Sequence, residues 1–551
     1  MTLTLSDATV SWTTCAGCET LLYLPKLARS KHVCPDCGHH HRLGARERLS
    51  LLLDDNTFQA APGVRGGDPL GFTDSRSYPE RLESGRRATG LADAALYGKG
   101  LLGGRPLIAL AMDFAFMGGS MGSAVGELVC RAADEALATR SPLLLVAASG
   151  GARMQEGALS LMQMARTAAA VRRLRGAGVP SICLLTDPTF GGVTASFATL
   201  ADILVAERGS LIGFAGPRVI AAATRERLPE GFQTAEYLFS RGMLDRVEPR
   251  EAVRPLLARL LNLLDGGTAP YRDEPAAPPE GDGQAPLSAW ETVRVARDIQ
   301  RPTTLDYLGH MCEDFVELHG DRVQGDDPAV VGGLAVMDGV RVMIIGHQKG
   351  HDTRELVSRN FGMAHPEGYR KALRLMRMAE SYGLPVVTLI DTQGAAPGIG
   401  AEERGQAWAI ASAIAGMGEL RVPIVATVTG EGGSGGALAL GVADEVLMTR
   451  NACYSVISPE SCSTILTGGP SQAARMAESL RLTAPELLRL NVIDGIVPEP
   501  AGGSQADHAQ AADLLKGAIL GTLARLAHVR PDELVRRRHD RFRALGPVAD
   551  G

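Results

Sequence analysis

The sequence predicts an α/β protein: two domains built from repeating βαβ units, preceded by a small metal-binding ribbon. Three observations carry this. One stretch of the chain recurs about 243 positions further on, a proline-rich stretch divides the two copies, and four cysteines near the start stand at ribbon spacing.

The ribbon comes first. Cys15, Cys18, Cys34 and Cys37 form C-x2-C-x15-C-x2-C, a spacing that gathers two thiolate pairs into a tetrahedral zinc site. A redox pair needs one C-x-x-C, not two at this separation. Four protein ligands leave the metal no open position, so the zinc is expected to be structural. His39, His40 and His41 follow; they read either as replacement ligands or, with Arg42, Arg46 and Arg48, as a solvated basic run able to meet a phosphate-bearing partner or a CoA tail. The other cysteines, Cys130, Cys183, Cys312, Cys453 and Cys462, show no disulfide-like pattern and read as small buried side chains.

The repeat supplies the two large domains. Residues 143–148, 182–186, 203–206 and 211–214 read as strands, with 158–175 as a helix between the first two. Residues 386–390, 424–429, 446–449 and 454–457 repeat the order, with 402–417 as the helix. Such βαβ series give parallel strands joined by right-handed crossovers, and ligands sit beyond the carboxyl ends of the strands.

Glycine-rich turns fall there. Gly191 and Gly192, and later Gly435 and Gly436, follow strands and open apolar helices over 193–200 and 437–442. A helix start supplies free N–H groups, and glycine lets a ligand oxygen approach the backbone. A second set of donors is expected from Gly150 and Gly151 in one half and Gly394 in the other. On the residues alone these turns fit either an anion site or close packing. They match neither a Walker A motif nor G-x-G-x-x-G, which argues against a nucleotide site. Asp187 and Glu431 end equivalent strands, but Asp before Pro reads first as a turn former. No Ser-His-Asp arrangement or H-E-x-x-H is visible. What remains is a reaction carried by backbone donors and by the substrates themselves.

Bulk properties set the frame. With 551 residues, 45% hydrophobic and 21% charged, the chain reads as globular with two or three domains. A net charge of −6 gives no reason to expect a protein that coats a polyanion. No apolar run approaches the roughly 18 to 20 residues that span a bilayer, and the first ten residues do not form a signal peptide, so a soluble cytoplasmic protein is expected. Residues 265–286 hold five prolines and no Val, Ile, Leu, Phe or Met, which marks a linker. The expected division is ribbon 1–45, first large domain 46–264, linker 265–286 and second large domain 287–551.

Longer motifs now bear on function. Ser149-Gly-Gly-Ala-Arg-Met-Gln-Glu-Gly157, Asp187-Pro-Thr-Phe-Gly-Gly-Val-Thr-Ala-Ser196 and Ile212-Gly-Phe-Ala-Gly-Pro-Arg218, with the ribbon, resemble the β subunit of bacterial acetyl-CoA carboxylase carboxyltransferase. Arg301-Pro-Thr-Thr-Leu-Asp-Tyr307, Ile345-Gly-His-Gln-Lys-Gly350, Arg359-Asn-Phe-Gly-Met363, Pro366-Glu-Gly-Tyr-Arg-Lys371, Gly398-Ile-Gly-Ala-Glu-Glu-Arg-Gly-Gln406 and Gly430-Glu-Gly-Gly-Ser-Gly-Gly436 resemble its α subunit. The chain departs from the usual α pattern at Gln393, Ala396 and Ser461.

The resemblance implies two crotonase-like domains, each a spiral of βαβ units, with acyl-CoA on the β-like half and carboxybiotin on the α-like half. It implies transfer of carboxyl from carboxybiotin on a carrier protein to acetyl-CoA, giving malonyl-CoA for fatty acid or polyketide supply. Gly191 and Gly192 would stabilise the thioester enolate, and Gly435 and Gly436 would face biotin, whose released anion is the base. Gly150, Gly151, Ala152 and Gly394 are the expected substrate-binding positions. Expected partners are biotin carboxyl carrier protein, biotin carboxylase and a second copy of the chain. Alternatives of the same fold are a propionyl-CoA carboxyltransferase and a malonyl decarboxylase; one of another class is a zinc-ribbon regulator that binds nucleic acid.

Overall fold

The computed structural model describes residues 12–264 and 287–546; the expected linker, 265–286, lies outside the described residues. The chain divides into two units, Met1–Ser240 with Leu244–Asn262, and Arg241–Met243 with Leu263–Gly551.

The first unit opens with a ribbon hairpin of β1 (Trp12–Thr14) and β2 (Leu21–Tyr23). Its main sheet has seven strands in sequence order: β3 (Gln59–Ala60), β4 (Ala95–Leu102), β5 (Arg105–Met112), β6 (Leu143–Ser149), β7 (Ser181–Thr189), β8 (Ile203–Glu207) and β9 (Arg246–Glu248). From β5 onward the strands are parallel, as expected, but β3, β4 and β5 pair antiparallel. The cause is local. Only Gly103 and Gly104 separate β4 from β5, both at positive φ, and a two-residue glycine turn closes a hairpin whereas a parallel pair needs a long crossover. The Asp54 carboxylate accepts from both turn amides, at 2.9 and 2.7 Å.

Helices Ser123–Thr139 and Ala158–Gly176 are the crossovers into β6 and β7. Covered strands of this kind carry apolar residues on both faces, and every residue of β6 is buried. Residues 211–214, expected as a strand, make only isolated bridges, Ile212 with Thr189 and Leu211 with Thr234; Gly213 and Gly216 interrupt the run.

The second unit repeats the plan with β10 (Asp314–Glu317), β11 (Val330–Met337), β12 (Val340–His347), β13 (Val386–Thr392), β14 (Ile424–Gly433), β15 (Glu445–Thr449), β16 (Cys453–Ser455) and β17 (Gly495–Val497). The first three are again antiparallel, β16 pairs with the end of β14, and β17 borders β15. The helix expected over 402–417 is two, Ile399–Glu403 and Gln406–Glu419, broken where Gly405 turns to φ +81°. The helices expected after the glycine doublets are short: Gly191–Val193 widens into a π-type turn, Thr194–Ala198, and its counterpart is Ser434–Leu438.

Both sheets share one irregularity. The pairing of β6 with β7 shifts between Ala147 and Ser149, and that of β13 with β14 shifts between Ile390 and Thr392. The shift lies at the carboxyl ends, where it releases the chain into the glycine turns. Among the described residues no helix is long and apolar enough to cross a membrane.

Candidate active-site turns and metal centre

In the ribbon, the sulfurs of Cys15, Cys18, Cys34 and Cys37 all lie within 4.8 Å of one another, with Cys15 to Cys37 at 3.6 Å and Cys18 to Cys34 at 3.8 Å. Four thiolates about 2.3 Å from a shared tetrahedral centre have this mutual spacing, so the set fits zinc and closes its coordination.

The basic run after the ribbon is less solvated than its composition suggests. Arg48 is buried and pairs with the buried Glu207, which also takes Arg250 Nε and Nη2 at 2.9 Å each. Burial alone would raise the Glu207 carboxyl; the two guanidiniums hold it well below the usual carboxylate range. Arg250 Nη1 reaches on to the carbonyls of Lys31 and His32, at 2.9 and 3.1 Å, and its backbone N–H meets His40 Nε2 at 3.4 Å. His40 is thereby committed to this junction and not to the metal. Arg42 lies over the Phe114 ring and donates to Asp187 at 3.1 Å. Asp187, read from sequence as a turn former, therefore links the ribbon to the end of β7, and its other oxygen accepts from Leu211 N–H at 3.2 Å.

At the carboxyl ends of β6 and β7 two turns meet. Gly151 has φ +124° and Gly191 φ +61°, and a Cβ at Gly191 would come within 3.0 Å of Gly151 Cα. Only glycine permits that approach. Several of the expected donors are already used. Gly150 N–H donates to Gly118 O at 2.8 Å, Gly151 N–H to Ser149 Oγ at 3.0 Å and Gly191 N–H to Phe214 O at 2.8 Å. These three glycines shape the turn. Gly192, second in its helix, has no intrahelical acceptor, and the hydrogen bonds around Ala152 run through Gly151 O and Arg153 N–H, passing its own amide by. Among the described residues the amides of Ala152 and Gly192 make no backbone hydrogen bond of the kind that occupies Gly150 and Gly191.

The second unit reproduces this arrangement. Gly394, at φ +155°, donates to Thr392 Oγ1 at 3.1 Å, as Gly151 does to Ser149. Ser434 at φ +56° takes the place of Gly191, so Gly435 corresponds to Gly192. The doublet equivalence expected from sequence is thus displaced by one residue. Ala395, the counterpart of Ala152, was not signalled by composition, although its position one residue past Gly394 marks it once the repeat is aligned. Gly435 and Gly436 are the second and third residues of their helix and have no intrahelical acceptors.

Charged groups brace this turn. Asp391 pairs with Lys349 at 2.7 Å and accepts from Glu431 N–H at 2.8 Å. Glu431 holds Arg297 at 2.6 and 3.0 Å, and Arg297 also reaches Glu460. A cavity of about 130 Å³ lies beside these groups, lined by Arg297, Lys349, Asp391 and Gln393 among others. Gln393, a departure from the usual pattern, is therefore a lining residue, whereas Ala396 is buried. Sequence reading missed Lys349, Asp391 and Arg297 as a group because they come together only in the fold.

Two α/β units of the same plan thus follow a closed four-cysteine ribbon. Transcarboxylase 12S, solved with methylmalonyl-CoA, superimposes with a TM-score of 0.72 over 92% of both chains at 23% identity. A single-chain, multi-domain long-chain acyl-CoA carboxylase superimposes at 0.66 and 20% identity, over 88% of this chain and 46% of its own. Both likenesses show the fold. Residues 281–546 match the acetyl co-enzyme A carboxylase carboxyltransferase-like family, and residues 12–37 the acetyl-CoA carboxylase zinc finger domain. The acetyl-coenzyme A carboxylase carboxyl transferase subunits beta/alpha of Saccharopolyspora erythraea are 54% identical over 98% of this chain and 96% of their own, and those of Natranaerobius thermophilus 42% over 97% and 91%. The chain belongs to this family, with the β and α subunits in one polypeptide, and is a biotin-dependent carboxyltransferase.

Proposed function

We propose that the first unit holds the acyl thioester and the second the biotin of a carrier protein, so that carboxyl passes from carboxybiotin to acetyl-CoA. The turn formed by Ala152 and Gly192, shaped by Gly150, Gly151 and Gly191, stabilises the enolate oxygen of the thioester. The turn formed by Gly435, Gly436 and Ala395, shaped by Gly394, faces the ureido oxygen of biotin. Loss of the carboxyl leaves a biotin anion, which takes the proton from the acyl carbon. No side-chain base is then required. Backbone donors fixed before reaction are worth about 3 kcal/mol each in barrier height where one has been removed.

One observation supports the reading above all: the same crossing of two turns recurs in both units, with Gly151 and Gly394 each donating its amide to the hydroxyl of the residue two before it. A reaction with two developing oxyanions calls for two such sites. The carrier protein and a biotin carboxylase supply the carboxybiotin, and the protein works in the cytoplasm as a homodimer.

Gly435→Ala tests the reading. A Cβ at this position meets no protein atom closer than Ile410 Cγ2, at 3.8 Å, so the methyl group enters ligand space and not the packed interior. Turnover in malonyl-CoA decarboxylation with free biotin should fall at least a hundredfold while the melting temperature holds. Full turnover in this variant would remove the second turn from the mechanism. An acyl preference for propionyl-CoA would show as a higher kcat/KM than acetyl-CoA in the forward direction.

A further inference from the structure

The two turns differ one residue beyond the outer glycine. Val193 stands one residue beyond Gly192 and is fully buried; the residue one beyond Gly435 is Gly436. What faces Gly436 is Tyr369, from the first turn of helix Pro366–Ser381. The point where a Cβ would stand on Gly436 is 2.8 Å from Tyr369 Oη and 2.5 Å from the amide nitrogen of Ala395. The hydroxyl and the amide nitrogen therefore both pack against the same face of Gly436.

Tyr369 is fully buried, and its hydroxyl has no hydrogen-bond partner among the described residues. A buried hydroxyl without an acceptor costs about 1–3 kcal/mol, which phenylalanine in the same volume would avoid. Packing alone therefore does not account for the oxygen. A ligand acceptor arriving beside Ala395 does. Burial, with the Asp327 carboxylate adding to it, raises the pKa of this phenol far above its ordinary value, so it stays protonated and keeps a proton to donate.

We infer that Tyr369 donates a side-chain hydrogen bond to the oxyanion held at the second turn, supplementing the backbone amides of Ala395 and Gly435. The inference rests on the reading of that turn as the biotin side. In the first unit the residue at the position of Gly436 is Val193, a fully buried side chain with no hydrogen-bond donor. The ureido oxygen of biotin would then receive one more donor than the thioester enolate. This suits a group that must become anionic before it can remove a proton from the acyl carbon.

The test compares Tyr369→Phe with Gly435→Ala in the full chain, using free biotin and malonyl-CoA. The expected result for Tyr369→Phe is a kcat at least tenfold lower, a KM for malonyl-CoA within twofold of the parent, and a melting temperature equal or higher. A kcat within twofold of the parent overturns the inference, and so does a fall in kcat accompanied by a lower melting temperature, which marks a packing role. If Gly435→Ala is impaired while Tyr369→Phe is not, only the inference fails. If Gly435→Ala is fully active, the reading of the turn fails and the inference with it.

Discussion

Arg153 grips Asp93 with both guanidinium nitrogens, at 2.6 and 3.0 Å, and neither side chain has any solvent exposure. Arg153 directly follows Ala152, so this pair fixes the turn that presents the Ala152 amide. The same guanidinium donates to Ser120 O at 2.7 Å and to Tyr78 Oη at 3.1 Å, and Tyr78 in turn donates to Glu156 at 2.6 Å.

Breaking such a pair from one side leaves an unpaired buried charge. Arg153→Met should cost about 3–5 kcal/mol of unfolding free energy, read by urea titration, together with most of the turnover. Arg153→Lys keeps the charge but cannot present two parallel donors, and should lose turnover more than stability. Equal stability and activity in both variants would show that the turn needs no such anchor.

Removal of the metal should propagate into the first unit. Arg250 binds the carbonyls of Lys31 and His32 while pairing with Glu207, so unfolding of the ribbon strips a buried guanidinium of two acceptors. Cys15→Ser should lower bound zinc per chain, measured by atomic absorption, and lower the melting temperature. The Arg42 to Asp187 contact is half-exposed and contributes little stability, so Arg42→Met should keep zinc and melting temperature while disturbing segment 211–214 and lowering kcat severalfold.

In the second unit Glu499 gives a pH-dependent term. Burial alone would raise its carboxyl, but Arg301, with the amides of Asn451 and Ser504, brings it down to about 2. A depressed carboxyl stabilises the fold above its unfolded pKa, near 4.5, and that stability is lost as pH falls through the folded value. The term is about 3 kcal/mol. Urea midpoints of the parent should therefore drop between pH 4.5 and 2, and Glu499→Gln should start lower at pH 7 and show a shallower fall. Parallel curves for the two proteins would rule out this assignment.

The repeat, the ribbon and the position of both glycine turns were legible in the sequence, because strand periodicity, cysteine spacing and glycine doublets are local signals. What escaped was set by contacts distant in the chain. Whether an amide is free depends on its acceptor: Gly191 is occupied because Phe214 O lies opposite, and nothing near Gly191 in the sequence reports that. The burial of Arg48 and the pairing of Asp187 with Arg42 were hidden for the same reason. A run of basic residues looks solvated until its carboxylate partners arrive from other strands.

Adjacent glycines in the second turn should respond in opposite ways to the same substitution. At Gly435 an added methyl group meets open space, so stability should hold while turnover falls. At Gly436 it would stand 2.5 Å from Ala395 N and 2.6 Å from Gly394 C, both backbone atoms that cannot move aside as a flexible side chain would. Gly436→Ala should therefore cost at least about 1–3 kcal/mol through forced backbone shifts, seen as a lower melting temperature. Combining it with Tyr369→Phe should restore little, because the phenol is the more distant of the clashing groups. A fully stable Gly436→Ala protein would mean that the two turns approach less closely than 2.5 Å implies, and the hydrogen-bond geometry assigned to Ala395 would then have to be abandoned.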